Sequence, residues 1–108
     1  MADEEAKAAL AALWVQYRPT ILARVVAVEQ AITAAQGGAL SDELRQKAHG
    51  EAHKLAGSMG TFGFGQASDL AREAEDILDP EAILDQAAVA HLSELVGTIR
   101  QQLERGEE

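Results

Sequence analysis

The chain has no cysteine in its 108 residues, so no thiolate is available as nucleophile or metal ligand. The groups left for covalent or acid–base work are hydroxyls, carboxylates, amines and the imidazoles of His49, His53 and His91. His49 and His53 are four residues apart, one turn of a helix. The apolar residues around them, Leu44, Ala48, Ala52, Leu55, Met59 and Phe62, recur every three or four positions and form one stripe. At roughly 100° per residue, His53 falls about 145° from the centre of that stripe, toward solvent. A neutral imidazole there can attack an electrophile such as phosphorus through its unprotonated ring nitrogen, a role histidine commonly takes near neutral pH.

Three glycines share the outward side with His53: Gly50 one turn before it, Gly57 and Gly60 one and two turns after. A glycine in an exposed helix interior costs on the order of 1 kcal/mol relative to alanine. Folding gives no reason for three such residues beside one histidine. They offer room, so that another macromolecule's backbone can approach the ring. The spacing also invites a metal reading, since two histidines one turn apart can hold zinc. In His49-Gly50-Glu51-Ala52-His53, however, the glutamate follows the first histidine by two residues and not by one, and no third ligand is evident, so no metal site is expected.

The elements that must carry these residues are helical. Twenty-two alanines, two prolines and 4% aromatic residues favour close-packed helices over sheet. A first helix is expected from residue 3 to about 17, with Leu10, Leu13, Trp14 and Tyr17 on one side. Pro19 interrupts backbone hydrogen bonding, yet the apolar register continues through Ile21, Leu22, Val25, Val28 and Ile32 to Gly37-Gly38. Two nearly collinear helices, or one kinked helix, would satisfy both signals. Ser41 caps the next helix, which should run to about Met59. The stretch from Gly60 to Gly65 is a tight connection, with Phe62 and Phe64 burying their rings at the bundle end. A third helix follows from about Gln66 to Leu78, ended by Asp79-Pro80. The last should start at Pro80 or Ile83 and reach Leu103, with Leu84 in its apolar stripe and His91 partly buried near it; the 106–108 tail should fray.

Four amphipathic helices with short connections make an all-α, antiparallel four-helix bundle with an additional N-terminal helix or a kinked first helix, one domain over residues 1–108. A net charge of −9 argues against nucleic-acid binding. No apolar run is long enough to span a membrane, and the acidic Met1-Ala2-Asp3-Glu4-Glu5 start is no signal peptide, so a cytoplasmic location is expected. Around His53 the charge is nearly balanced, with Arg45, Lys47 and Lys54 against Asp42, Glu43 and Glu51, and this sets the histidine face apart.

The segment A-H-K-L-A-G-S-M-G-T-F-G-F, residues 52–64, resembles the phosphorylated-histidine segment of histidine-containing phosphotransfer (HPt) domains. The resemblance implies a non-enzymatic relay in two-component signalling, with His53 as the phosphohistidine carrying phosphate between receiver-domain aspartates. It implies response-regulator receiver domains and a histidine kinase or hybrid kinase as partners, and a monomer. No cofactor of its own is implied; Mg²⁺ would sit on the receiver. Gly50, Gly57 and Gly60 would then form the partner-docking face. Many such domains carry H-x-x-K-G, but here Ala56 occupies the lysine position and Lys54 directly follows His53. Lys54 and His49 are therefore candidate neighbours of the phosphoryl group, and position 56 is expected near the His53 face. Two alternatives stand beside this reading: a non-phosphorylated adaptor or structural bundle that binds receivers, and a metal-binding bundle.

Overall fold

A computed structural model describes residues 2–106. It contains four helices: α1 (Ala2–Gln36), α2 (Asp42–Thr61), α3 (Gly65–Leu78) and α4 (Gln86–Arg105). Each packs against its sequence neighbours and α4 closes back on α1, with no pairing across the diagonal among the described residues. This closed ring is the up-and-down bundle expected of amphipathic helices on short connections. The shape is elongated, 53 × 22 × 20 Å, because α1 is much longer than the other three.

α1 runs unbroken through Pro19, which excludes the two-helix alternative. Pro19 is exposed, whereas Ile21, Val25, Val28 and Ile32 on the opposite side are buried. The missing hydrogen bond thus falls on the side where water can satisfy the freed carbonyl, and the packed side carries the helix onward.

The core is built from Ile21, Val25 and Val28 of α1, Leu55 and Met59 of α2, Leu78 of α3, and Leu92, Ile99 and Leu103 of α4. Fully burying such a side chain is worth about 1.5–3 kcal/mol. α2 and α3 contribute small residues instead: Ala48, Ala52 and Ala56, and Ala67, Ala71 and Ala74, all buried. Their side chains let the two backbones come close, and the α2–α3 seam is the most extensive of the four. Across it, the buried Ser68 hydroxyl donates to the Ala56 carbonyl at 2.8 Å.

Side chains finish the ends. Ser41 Oγ accepts from the Leu44 N–H at 3.1 Å and caps α2. Arg45 of α2 reaches the end of α3, donating to the carbonyls of Leu78 (3.1 Å), Asp79 (2.6 Å) and Ala82 (2.6 Å). A cation on carbonyls at the end of the helix also complements the helix dipole. Arg100 forks onto Glu29 at 2.6 and 2.7 Å, tying α4 to α1, and this pairing raises its guanidinium pKa.

α4 begins later than its apolar spacing suggests. Asp79 Oδ1 accepts from the Glu81 N–H and the Asp79 carbonyl from the Ala82 N–H, both at 2.9 Å, which folds residues 79–82 into a turn. Asp85 then caps the helix, accepting from the Ala88 N–H at 2.8 Å. Leu84 packs on the core from the connection and not from the helix. At the other end α4 continues to Arg105, stopped by Gly106 at φ 75°. Glu107 and Glu108, expected to fray, lie outside the described residues.

At the other end of the bundle, Trp14 lies 5.3 Å from Phe62 and 4.9 Å from Phe64, and Tyr17 is 6.2 Å from Phe62. Phe64 is buried, Phe62 and Trp14 half-buried. The α2–α3 connection is shorter than Gly60–Gly65: α2 extends through Thr61 and α3 starts at Gly65. Gly63, at φ 83°, makes the turn between the two rings.

Candidate functional site

His53 projects from the middle of α2 with 74% of its side chain exposed. Its ring is not free on both sides. Nδ1 lies 3.0 and 3.2 Å from the two carboxylate oxygens of Glu75, on α3. Glu75 is 23% exposed, and its carboxylate also stands 3.9 Å from His49 Nε2. Both histidines of α2 therefore face one glutamate across the α2–α3 seam.

An ionised carboxylate only accepts hydrogen bonds. The neutral His53 ring beside it must place its proton on Nδ1, which leaves the Nε2 lone pair unprotonated. Nε2 is thus the nucleophilic atom of the exposed imidazole, and Glu75 fixes the ring's orientation as well as its tautomer. The spacing of residues within α2 cannot disclose this partner, because it comes from another helix. Its only sequence trace is a position next to Ala74 on the buried face of α3.

The three glycines differ. A Cβ placed on Gly50 or Gly57 would meet nothing within 4 Å, so both open onto free space. At Gly60 it would lie 3.4 Å from Ser68 Oγ, so this glycine also gives room to the α2–α3 seam. None of the three has a positive φ; what they supply is space and not an unusual backbone.

Lys54 points away from α3. Its Nζ is 3.5 Å from Glu51 Oε1, and the side chain borders a groove of about 580 Å³ between α1 and α2. Leu10, Leu13, Tyr17 and Phe62 give the groove its apolar wall, and Gly57 lies on its edge. Arg24 of α1 closes it, donating to Ser58 Oγ. Arg24 is a second cation on the Lys54 side of His53, placed there by the packing of α1 on α2.

Ala56 corrects one expectation. It is 3% exposed and sits in the core, its carbonyl taken by Ser68. Position 56 faces α3 and not the open ground beside His53, so a lysine has no room there. His91 departs in the opposite direction. It is half exposed and paired with Glu73 at 3.1 Å, because the apolar stripe of α4 passes through Val89, Leu92 and Val96 beside it. No group of three or more His, Cys, Asp or Glu able to hold a metal ion occurs among the described residues. Among them, no helix is long and apolar enough to cross a membrane.

The chain matches the family model of the Hpt domain over residues 12–105, nearly its whole length. No curated protein and no solved structure matches it.

Proposed function

The chain belongs to the Hpt domain family, whose members carry phosphate in two-component signalling, and we propose that it relays a phosphoryl group between receiver-domain aspartates through His53 Nε2. The observation that carries the reading is the contact of His53 Nδ1 with Glu75 at 3.0 Å, which leaves Nε2 unprotonated on an exposed ring.

In the forward step, the Nε2 lone pair attacks the phosphorus of an aspartyl phosphate in line. The N–P bond forms, the P–O bond to the aspartate breaks, and the carboxylate leaves with its electron pair. No proton has to be removed from the nucleophile. The ring, with a proton on Nδ1 and phosphorus on Nε2, becomes cationic as the bond forms, and Glu75 opposes that charge at the other nitrogen. Transfer to the next receiver reverses each step. The receivers bring the Mg²⁺ and the aspartates; this chain supplies the positioned imidazole and an unobstructed approach over Gly50 and Gly57.

Lys54 and Arg24 lie on the far side of His53 from Glu75 and give the approaching phosphoryl group a positive flank. His49, sharing Glu75, helps hold the carboxylate in place.

The test is incubation with a phosphorylated receiver. An acid-labile, base-stable label, located on Nε2 by ³¹P–¹H NMR, is expected for the native chain. His53→Gln should take up none while keeping its melting temperature, because an exposed side chain contributes little to stability. Label on His49, or label retained in His53→Gln, would refute the assignment.

A further inference from the structure

The bundle ends at the level of Trp14, where the rings of Phe62 and Phe64 close it. Residues 2–13 of α1 continue beyond, an overhang of about 18 Å at 1.5 Å per residue. Between Lys7 and Glu29 only Arg18 and Arg24 carry charge, so α1 is apolar on its outer side as well as toward the core. Arg24 reaches α2 from one flank of α1, while Arg18 and Glu29 reach α4 from the other. Outward along the α4 flank run Ala8, Ala11, Val15, Pro19, Leu22 and Val26 at helical spacing. Val15 is 73% and Val26 41% exposed. They stand two residues from Leu13 and Arg24 of the α1–α2 groove, and two residues are about 200° of helix. The stripe thus lies on the opposite side of α1 from the groove beside His53. A helix apolar all round is normally enclosed, and among the described residues nothing encloses this side. Further along the same flank, a groove of about 360 Å³ between α1 and α4 is bordered by Glu29, Thr33, Ser93 and Gly97. A Cβ on Gly97 would meet nothing within 4 Å, so the fold does not require glycine there, although glycine weakens an exposed helix relative to alanine.

We propose that a second copy of this chain covers both, in a two-fold dimer whose α1 helices run antiparallel along this outer stripe. The stripe is self-complementary. Its spacing reads the same in both directions about the point between Arg18 and Pro19, with positions 8, 11 and 15 on one side and 29, 26 and 22 on the other. Antiparallel pairing about that point sets Ala8 opposite the partner's Glu29, Ala11 opposite the partner's Val26 and Val15 opposite the partner's Leu22. A smaller side chain meets a larger one each time, as interdigitation requires. Lys7, next to Ala8, comes against the same carboxylate of the partner's Glu29. The overhang then has a seat: its residues 4–11 lie over residues 26–33 of the second copy. Glu4 enters that copy's α1–α4 groove, where the hydroxyls of Thr33 and Ser93 can donate to a carboxylate and Gly97 leaves the space. One sequence thus supplies both halves of the contact, as an isologous interface requires. A single pair of helices over about 44 Å is toward the small end of specific interfaces, so the dimer forms in the range of about 10–100 µM. This differs from the monomer expected from the sequence, where the overhang reads as part of an ordinary first helix. The pairing leaves His53 and the α1–α2 groove of both copies open, and the proposal does not depend on phosphotransfer.

Sedimentation velocity of the full chain from about 5 to 500 µM tests it. Dimer is expected to dominate at the upper end. Val15→Glu, at an exposed position, should keep its helicity by circular dichroism and weaken association about 100-fold, since the two-fold axis applies each loss twice. Gly97→Gln should melt no lower than the native chain and weaken association about tenfold by filling the α1–α4 groove. Cross-linking reads the register, and the absence of native cysteine makes it specific. Under mild oxidation Ala11→Cys should couple to Val26→Cys when the two variants are mixed. Alone, Ala11→Cys should not couple to itself, because like positions stand about 22 Å apart along the pair. A single monomeric species over the whole range would overturn the proposal. So would a dimer indifferent to Val15→Glu but dispersed by Leu13→Glu in the α1–α2 groove, or Ala11→Cys coupling to itself as readily as to Val26→Cys.

Discussion

His53 and Glu75, twenty-two residues apart on different helices, meet at 3.0 Å through Nδ1 of the imidazole. In the proposed relay the nucleophile is therefore a two-helix object: α2 supplies the ring and α3 sets which nitrogen of it is free.

Replacing Glu75 by Gln keeps a hydrogen-bond acceptor near Nδ1 but removes its charge. Phosphotransfer should slow about three- to tenfold, the loss of about 0.7–1.4 kcal/mol of charge-assisted stabilisation. Glu75→Ala should cost more and also release the tautomer. ¹⁵N NMR of the His53 ring would report it as a gain of Nε2–H. An unchanged tautomer and rate in Glu75→Ala would remove Glu75 from the mechanism.

Gly57 opens onto free space. Gly57→Ala should stabilise the chain by up to about 1 kcal/mol through helix propensity alone. Gly57→Gln should melt near the native temperature but slow transfer at least about tenfold, roughly 1.4 kcal/mol in the barrier. Stopped-flow transfer kinetics beside thermal melts separate the two effects.

Ala56→Lys, which would install the lysine common in the family, should instead destabilise the fold by about 2–4 kcal/mol, because the new cation would have to enter a site that is 3% exposed. Chemical denaturation measures this. Lys54→Ala, on the surface, should change stability by less than about 0.5 kcal/mol. Its effect on phosphohistidine lifetime at low salt should be small and should fade as salt is raised.

Trp14 is the only tryptophan of the chain and packs edge-on against Phe62 and at a tilt against Phe64, so its emission reports on the closed end of the bundle. Phe64→Ala should cost about 3 kcal/mol and shift the native emission to the red. Arg45→Ala, at the opposite end, should remove the three hydrogen bonds to residues 78–82, costing about 1.5–3 kcal/mol, and leave the Trp14 emission unchanged.

The sequence displays helix periodicity well and helix-to-helix pairing hardly at all. α2 and α3 are legible to within about two residues because Ala48, Ala52, Leu55 and Met59, and Ala67, Ala71, Ala74 and Leu78, mark their buried faces. The start of α4 is misread because Ile83 and Leu84 extend an apolar spacing that the local hydrogen bonds of Asp79 and Asp85 override. The exposure of His53 follows from its angle to the stripe. Glu75 is invisible for the opposite reason: its part at the site arises only when α3 docks on α2. The burial of Ala56 has the same origin, since periodicity places it at the margin of the stripe and only the α3 contact covers it.

The six alanines that α2 and α3 bury set the separation of those helices, and with it the reach from Glu75 to His53. In the proposed relay, the seam is a spacer gauge for the reaction. A single added methylene at Ala71, remote from the phosphoryl group, would push the carboxylate outward and detune the imidazole without altering any residue a partner touches. Transfer rate in such a chain can drift through the thickness of its packing while its recognition surface stays constant, so relays of identical partner choice can run at different speeds.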